Sequence, residues 1–388
     1  MSKLYNTQSD FTTGFKNFFA SFHLRKTQLK IIPPILFGMI LSESVSAPDI
    51  ARVLKDEFSL IQYDSVVKRI RRFFNNSLFE PYAFYEEFIS YIIDNYKKKH
   101  LDKRVHIIFD HMFSHENYTV FMLTLRIGKQ GIPVWFQCFK GISENKAFEL
   151  ETIKNAITKV SDLFKHKDLE LIFLADRWFN SIDLLKHIDS LGHTYCVRLK
   201  KNIHVYPYDP KEGHIIQKYI SDLFYYKYKS TTYKNILLSD ERYETNIVFS
   251  DWANVEEPWI IATNGDTKRA IKDYSYRFGG VETVFKNQKS NGFRLENISN
   301  ASLQAFTTMY ALLCVAITYL TILGTEFSKN SKCYRNEKIE THKTYIKNGI
   351  QCKQRIMSLF NTGLTLFHRA FNSIKYIRIP FRFILYDI

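Results

Sequence analysis

The sequence lacks any pair of cysteines spaced as CxxC, although its 388 residues include five cysteines. Scattered cysteines in an odd number indicate neither a disulfide framework nor a zinc ribbon. The first residues, MSKLYNTQSDFTTGF, also lack the apolar stretch of a secretory signal. We therefore expect a protein of the reducing cytoplasm.

Acidic residues are fewer than basic ones. Lys and Arg number 54 against 39 acids, which gives a formal charge of +15 and a pI near 9.3. Such a balance favours a polyanionic partner, either nucleic acid or an acidic membrane surface. The hydrophobic content of 45% excludes a disordered chain, and the length allows two or three domains.

Long apolar runs are rare, and residues 303–323 form the one that approaches the length of a membrane span. This run contains Gln304 and four threonines, and no aromatic belt flanks it. We expect a buried core helix rather than a transmembrane helix, and hence no membrane partner.

Residues 25–98 have the periodicity of helices, with apolar positions three and four residues apart. Two segments, SAPDIARVLKDEF and YDSVVKRIRRFFNN, predict a short helix followed by a basic one, typical of a helix-turn-helix at about 46–76. The second would bury an apolar stripe of Val66, Val67, Ile70, Phe73 and Phe74. Its outward basic residues would be Lys68, Arg69, Arg71 and Arg72. The alternative is an ordinary helical bundle with a solvated basic face.

After residue 104 the periodicity changes to that of strands. VHIIFD, which we expect to end as a strand at Asp110, is followed by two strands around a glycine-flanked turn and by a helix over 145–164. ELIFLAD then ends at Asp176, before a further helix and the strand HTYCVRLK. Three strands, then helix, strand, helix and strand, is the order of an RNase H-like α/β core.

The rest of the chain completes the predicted domain organisation. Residues 201–268 are rich in Tyr and Thr and predict a mostly β insertion, after which the helical pattern returns at Ala270. Residues 325–388 carry a formal charge of +8. We expect a helical DNA-binding domain, a catalytic core, a β-rich insertion and a basic, helical C-terminal region, at residues 1–100, 101–200 with 269–325, 201–268 and 326–388 respectively.

Two buried strands that each end in an aspartate indicate a shared site. The carboxyl ends of neighbouring strands open onto a crevice, and two carboxylates there need a cation to stay ionised. Glu282, the single acid of the basic stretch YSYRFGGVETVFKNQKSNG, would complete an all-oxygen site for Mg²⁺ or Mn²⁺. Each acid has another interpretation: Asp110 as a turn residue, and Asp176 and Glu282 as ion-pair partners of Arg177 and Lys286.

These residues resemble the DDE-type cut-and-paste transposases of bacterial insertion sequences, over roughly 45–370. The branch in question has the signature Tyr, two residues, Arg, three residues, Glu, six residues, Lys. Tyr274 and Arg277 keep its first spacing, and Glu282 and Lys289 keep its last. The middle spacing departs from it, because four residues separate Arg277 from Glu282. We expect the helix to be irregular at the glycine pair 279–280.

The resemblance implies that Asp110, Asp176 and Glu282 are catalytic and bind two Mg²⁺ ions, with Mn²⁺ as a substitute. Arg277 and Lys289 would hold phosphates near the cleaved strand.

It further implies that Tyr274 packs or hydrogen-bonds at the DNA end and that the basic helix 64–74 helps recognise terminal inverted repeats. Trp178 would stack on a flipped base at a hairpin end, or else would be a core-facing tryptophan. The β insertion would contact DNA.

The expected function is therefore a transposase that nicks transposon ends and uses the 3′-hydroxyl for strand transfer, through a hairpin intermediate. Its partners would be double-stranded DNA, comprising terminal inverted repeats and target DNA, and a second copy in a homodimer; its location would be the bacterial cytoplasm, near the nucleoid. The alternatives are an RNase H-like nuclease without strand transfer, a catalytically inactive DNA-binding relative, and more remotely a basic membrane-associated protein.

Overall fold

Helices surround a mixed β-sheet in the computed structural model. The structure describes the chain except for residues 1–3, 6, 55–61, 99–102, 115–117, 142–145, 210, 252–256, 290–291, 299–300, 330–338, 340, 348–349, 373–378, 381–382 and 388. The helices within the described residues are α1 Gln8–Phe18, α2 Lys26–Ser42, α3 Ala47–Val53, α4 Tyr63–Phe74, α5 Pro81–Asp94, α6 Lys146–Phe164, α7 Ile182–Ser190, α8 Thr267–Ser275, α9 Val281–Gln288, α10 Leu303–Lys329 and α11 Leu359–Asn372.

The strands, again within the described residues, lie mostly between α5 and α8. They are β1 Leu4–Tyr5, β2 Arg104–Ser114, β3 Tyr118–Ile127, β4 Gln130–Lys140, β5 Glu170–Ala175, β6 Thr194–Arg198, β7 His204–Tyr206, β8 Tyr208–Asp209, β9 His214–Ile215, β10 Lys218–Tyr219, β11 Ser230–Leu238, β12 Tyr243–Ser250, β13 Trp259–Thr263, β14 His342–Lys347, β15 Ile350–Arg355 and β16 Ile379–Pro380.

The central sheet has the strand order β10-β7-β11-β12-β13-β6-β5-β2-β3-β4. β2, β3 and β4 form an antiparallel meander, whereas β5 is parallel to both β2 and β6. The continuous apolar sequences of β2 and β5 are buried, as strands covered on both faces require. The section β4-β3-β2-β5-β6 has the arrangement of an RNase H-like sheet, so the predicted α/β fold class is confirmed.

The register of the parallel strands aligns the two predicted aspartates. Ile108 pairs with Leu174 at the last matched position of β2 and β5. Two residues further along each chain stand Asp110 and Asp176, at the same edge of the sheet. The prediction that the first strand ends at Asp110 is wrong, because β2 continues to Ser114 as the partner of β3 after it has separated from β5.

The segment 201–268 contains the predicted strands, and most of them extend the central sheet. β13 pairs antiparallel with β6, and β12, β11, β7 and β10 follow outwards. β8 and β9 form a separate two-stranded sheet. These five strands therefore belong to the same sheet as the strands that carry the aspartates.

The predicted helical character of 25–98 is confirmed by α2 to α5. The apolar stripe of α4 is buried as expected, and its basic residues Lys68, Arg69, Arg71 and Arg72 are exposed. Since residues 55–61, between α3 and α4, lie outside the described residues, the helix-turn-helix stays a prediction.

α10 is the central helix of the molecule. It is the one helix of the described chain that is long and apolar enough to cross a membrane, and its apolar window is fully buried inside the protein. It contacts β4 on one side and α2, α4, α5 and α11 on others. The prediction of a core helix is therefore confirmed.

The C-terminal region contains a hairpin as well as a helix, whereas the sequence predicted helical structure alone. β14 and β15 form the hairpin, α11 packs along α10, and β16 pairs with the N-terminal β1. Aromatic rings from both ends of the chain meet, with Phe383 against Phe15 and Phe18. These contacts bring the N-terminal and C-terminal parts of the chain together.

Candidate active site

Asp110 and Asp176 converge on one guanidinium group, that of Arg277. Nη2 of Arg277 donates a hydrogen bond of 2.8 Å to Oδ2 of Asp110 and lies 3.4 Å from Oδ2 of Asp176. Each carboxylate also accepts the backbone N–H of the next residue, from His111 at 2.9 Å and Arg177 at 2.7 Å. The Arg277 side chain is only 9% exposed, so the two carboxylates share a cation shielded from water.

The electrostatics of Asp110 are dominated by burial. Burial raises the pKa of the Asp110 carboxyl above its ordinary value, and the charges of Asp176 and Glu282 raise it further. The Arg277 guanidinium and the His111 N–H act in the opposite direction without reversing the shift. Since a buried carboxylate is costly without positive charge nearby, this site favours bound cations.

Contacts at the two ends of α8 determine where Arg277 lies relative to the sheet. Asp266 begins the helix by accepting the N–H of Lys268, and the buried Asp273 ties it to β2. Asp273 accepts hydrogen bonds from Arg104 Nη2 at 2.7 Å and from His106 Nε2 at 3.0 Å. This anchor fixes the end of α8 from which Arg277 extends.

The irregularity predicted at the glycine pair is confirmed. α8 ends at Ser275, and α9 begins at Val281 after a turn in which Gly279 has φ +89°. A Cβ at Gly280 would lie 2.1 Å from Cδ1 of Ile108, so the turn packs directly on the strand that carries Asp110. The extra residue is accommodated by a complete break between two helices.

Glu282 lies in the first turn of α9 and acts on Asp110 through space. Within the described residues, no three or more acid, histidine or cysteine side chains are close enough together to hold a metal ion. The structure thus brings two of the three predicted carboxylates together. No ion pair between Glu282 and Lys286 is present among the described residues, so that alternative interpretation of Glu282 is not supported.

The other two alternative interpretations of the acids are wrong. Asp110 lies within β2 rather than in a turn. Asp176 accepts the backbone N–H of Arg177, but the Arg177 guanidinium pairs with Glu257 instead. Both aspartates are therefore directed towards Arg277 and the edge of the sheet.

The two aspartates supply oxygen donors, and no third side-chain ligand lies with them among the described residues. Two carboxylate oxygens converge on one positively charged nitrogen, and oxygen ligands of this type suit Mg²⁺ or Mn²⁺. The raised pKa of Asp110 shows that the Arg277 charge alone does not offset its burial. Asp110 and Asp176 could hold such an ion, with Glu282 contributing negative charge.

Tyr274 is completely buried below the site. Its ring packs edge-on against Trp259, and its hydroxyl has no hydrogen-bond partner among the described residues. Burial, followed by the negative charge of Asp176, raises the pKa of the hydroxyl to about 12. Tyr274 therefore stays protonated, and its contact with a DNA end stays a prediction.

Trp178 is 65% exposed, so the alternative of a core-facing tryptophan is wrong. It lies in the short helical turn after Asp176 and lines a cavity of about 280 Å³ together with Phe179, Asn180, Glu149 and Lys200. A wide, exposed ring beside the carboxylates is available for stacking.

The remaining predicted contact residues belong to two other parts of the chain. Lys289 follows the last residue of α9 and is half-buried. The four basic residues of α4 belong to the N-terminal helices and not to the edge of the sheet that holds the aspartates. Their roles stay predictions.

Sequence reasoning missed two charged groups near the carboxylates. One is the Asp273 anchor, and the other is a basic cluster of Arg177, Arg198 and Lys201 around Glu257. Each group joins residues from distant parts of the chain, so no local spacing could have found it. The composition signalled only the excess of base.

The sheet is RNase H-like, and its two aspartates lie just beyond the last paired residues of two neighbouring parallel strands, where ligands bind in open α/β sheets. Residues 94–319, more than half of the chain, match the family model described as transposase DDE domain, and the chain belongs to this family. No curated protein matches the chain. The family implies a DNA substrate and an enzyme that is a nuclease or transposase.

Proposed function

We propose that the protein cleaves DNA at transposon ends and joins the resulting 3′-hydroxyl to target DNA by two-metal phosphoryl transfer. The observation that carries this proposal is the alignment of Asp110 and Asp176 on neighbouring parallel strands, with both carboxylates on one cation. Membership of the transposase family supports it.

Asp110, Asp176 and Glu282 would hold the metal ions. When bound, these ions would activate the attacking water or 3′-hydroxyl and stabilise the leaving oxygen. The chain itself supplies a rigid sheet edge that fixes the two aspartates, and backbone N–H groups that orient one oxygen of each. Arg277 supplies a cation within reach of both carboxylates and of any phosphate between them.

DNA would be held by basic and aromatic groups around this edge. We assign phosphate contacts to Arg277 and Lys289 and base stacking to Trp178. Tyr274, which is buried, would support the DNA-end site by packing beneath it. The basic residues of α4, namely Lys68, Arg69, Arg71 and Arg72, would contact terminal inverted repeats. A homodimer would join the two ends, in the bacterial cytoplasm near the nucleoid.

The test uses duplexes carrying the inverted repeats that flank the gene, incubated with purified protein and Mg²⁺ or Mn²⁺. We expect end cleavage and joined products with the wild type, and a loss of at least about a hundredfold for Asp176→Asn and Glu282→Gln. Asp168→Asn is the matched control, since Asp168 is 86% exposed and precedes the opposite end of β5.

Three outcomes separate the possibilities. Wild-type cleavage no better than that of Glu282→Gln, across ends and metals, would remove the catalytic proposal. Cleavage without joined products would identify a nuclease. Specific binding of the repeats with no cleavage, unchanged by Asp110→Asn, would identify an inactive DNA-binding relative.

A further inference from the structure

Three basic side chains surround the Glu257 carboxylate. Lys201 Nζ lies 3.1 Å from Oε1, while Arg177 Nη1 and Arg198 Nη2 lie 3.3 Å and 3.9 Å from Oε2. We call these three residues the basic cluster. A single carboxylate thus faces three cations, which leaves a local excess of positive charge.

The basic cluster stands beside the two aspartates. In the parallel pairing of β5 and β6, Ala175 matches Val197, so Asp176 and Arg198 come next on their strands. Asp110, Asp176 and Arg198 therefore lie in a row along the carboxyl edge of three adjacent strands. Arg177 follows Asp176 directly, and its backbone N–H holds the Asp176 carboxylate.

Two of the three ion pairs are solvent-exposed. The Glu257 side chain is 40% exposed, those of Arg177 and Lys201 are about half exposed and that of Arg198 is 18% exposed. Exposed pairs such as those of Arg177 and Lys201 each contribute about 0–1 kcal/mol to folding. Two hydrogen-bond donors, from Arg177 and Lys201, and a third cation, Arg198 at 3.9 Å, surround the two oxygens of one anion. Arginine and lysine bind the oxygens of phosphate with donors of the same kind.

We propose that the basic cluster binds a backbone phosphodiester of the DNA, one strand away from the catalytic aspartates, and that Glu257 holds the cluster until DNA displaces it. This inference rests on the proposed function for the identity of the ligand. Glu257 then acts as an internal competitor, which weakens binding of DNA of any sequence and keeps the three side chains together before DNA binds.

The test measures binding of a labelled duplex of arbitrary sequence in EDTA, over a range of salt concentrations, so that cleavage does not contribute. We expect Glu257→Gln to tighten binding by about threefold to tenfold and to steepen the slope of log K against log salt by about one, since one more cation becomes available to phosphate.

Asp168→Asn is the matched control, because it removes one exposed carboxylate that pairs with Lys103 near the start of β5. In the background of Arg177→Gln and Lys201→Gln, the effect of Glu257→Gln should shrink to that of Asp168→Asn. If Glu257→Gln in the wild-type background already gains no more than Asp168→Asn, the inference is overturned.

A parallel titration with inorganic phosphate distinguishes the source of the anion. If Glu257→Gln tightens binding of inorganic phosphate but not of duplex, the cluster serves a free anion and the assignment to DNA is overturned. Failure of the cleavage assay together with the expected binding results would remove the proposed chemistry and leave the phosphate site in place. The reverse result would remove the phosphate site alone.

Discussion

At the scale of single residues, the site is a compromise between burial and charge. Burial raises the pKa of the Asp110 carboxyl, although phosphoryl transfer needs its anion. Arg277 offsets part of the cost of burying this charge by contacting both aspartates. The proposed catalytic role of Asp110 and its contribution to stability are therefore opposed.

Replacing Asp110 by Asn should stabilise the protein at neutral pH. Because the pKa of Asp110 is raised in the fold, the carboxyl contributes its full stability only below its ordinary pKa of 3.8, and this contribution is lost as pH rises through the folded pKa. The asparagine cannot ionise. We expect a higher melting temperature than wild type at pH 7, with a difference that shrinks as the pH approaches 3.8, measured by thermal denaturation.

The control for this prediction is Asp168→Asn, whose exposed carboxyl lies far from Arg277 and should leave the pH profile almost unchanged. A melting temperature for Asp110→Asn below that of wild type at pH 7 would contradict it. Such a result would mean that the contact with Arg277 outweighs the burial of the charge.

Some residues of the site could be predicted from the sequence and others could not. Asp110 and Asp176 were found because each follows a short apolar run of sequence, a pattern visible within a few residues. The exposure of Trp178 depends on the path of the chain after β5, and the basic cluster depends on strand order. Neither property is local, so neither leaves a local pattern.

At the scale of elements, the turn between α8 and α9 sets the position of Arg277 and Glu282. Gly280→Ala would place a methyl group 2.1 Å from Cδ1 of Ile108. We expect a loss of about 1–3 kcal/mol in the free energy of unfolding, measured in urea, because the core must shift to admit it.

A second substitution tests the cause of this loss. Ile108→Val removes the Cδ1 atom that the new methyl group would meet. Gly280→Ala should therefore cost much less stability in the Ile108→Val background than in the wild type. Strictly additive losses in the double variant would show that the contact with Ile108 is not the reason for the glycine.

The anchor of α8 is the second element-scale feature. Asp273→Asn would leave the buried Arg104 without its closest counter-charge, while Glu170 remains 3.5 Å from its Nε. Removing one partner of a buried ion pair costs about 3 kcal/mol. We expect this loss in urea denaturation, and also weaker cleavage, because α8 positions Arg277.

The conservative variant Asp273→Glu separates charge from shape. It retains the negative charge and should recover part of the stability, whereas an equal loss for both variants would show that packing alone matters. Glu170→Gln, at the exposed side of the same arginine, should cost much less.

The extent of the elements was harder to predict than their existence. The sequence predicted β2, but its end is set by β3, which continues to pair after β5 has turned away. The strands of 201–268 were predicted, but their attachment to β6 was not, because apolar periodicity carries no information on which strand is the neighbour. Pairing is decided by the whole sheet.

At the scale of the whole molecule, α10 connects the predicted domains to one another. It packs on the sheet through β4, on the N-terminal helices and on α11. A Cβ at Gly324 would lie 1.9 Å from the Leu359 carbonyl oxygen, and one at Gly363 would lie 1.9 Å from that of Leu320. The backbones of α10 and α11 are therefore in direct contact.

Ending the chain after Lys329 should therefore make it aggregate. The truncation removes the fully buried Phe360 and Phe367 of α11 and exposes the apolar face of α10 that they cover. We expect loss of the monodisperse species in size-exclusion chromatography and increased binding of a hydrophobic dye.

The control joins residues 341 and 356 by two glycines in place of the hairpin β14–β15, whose ends pair at His342 and Arg355. That variant keeps α11 and should remain soluble; a truncated chain with the same solubility and melting temperature would show that α10 does not depend on α11.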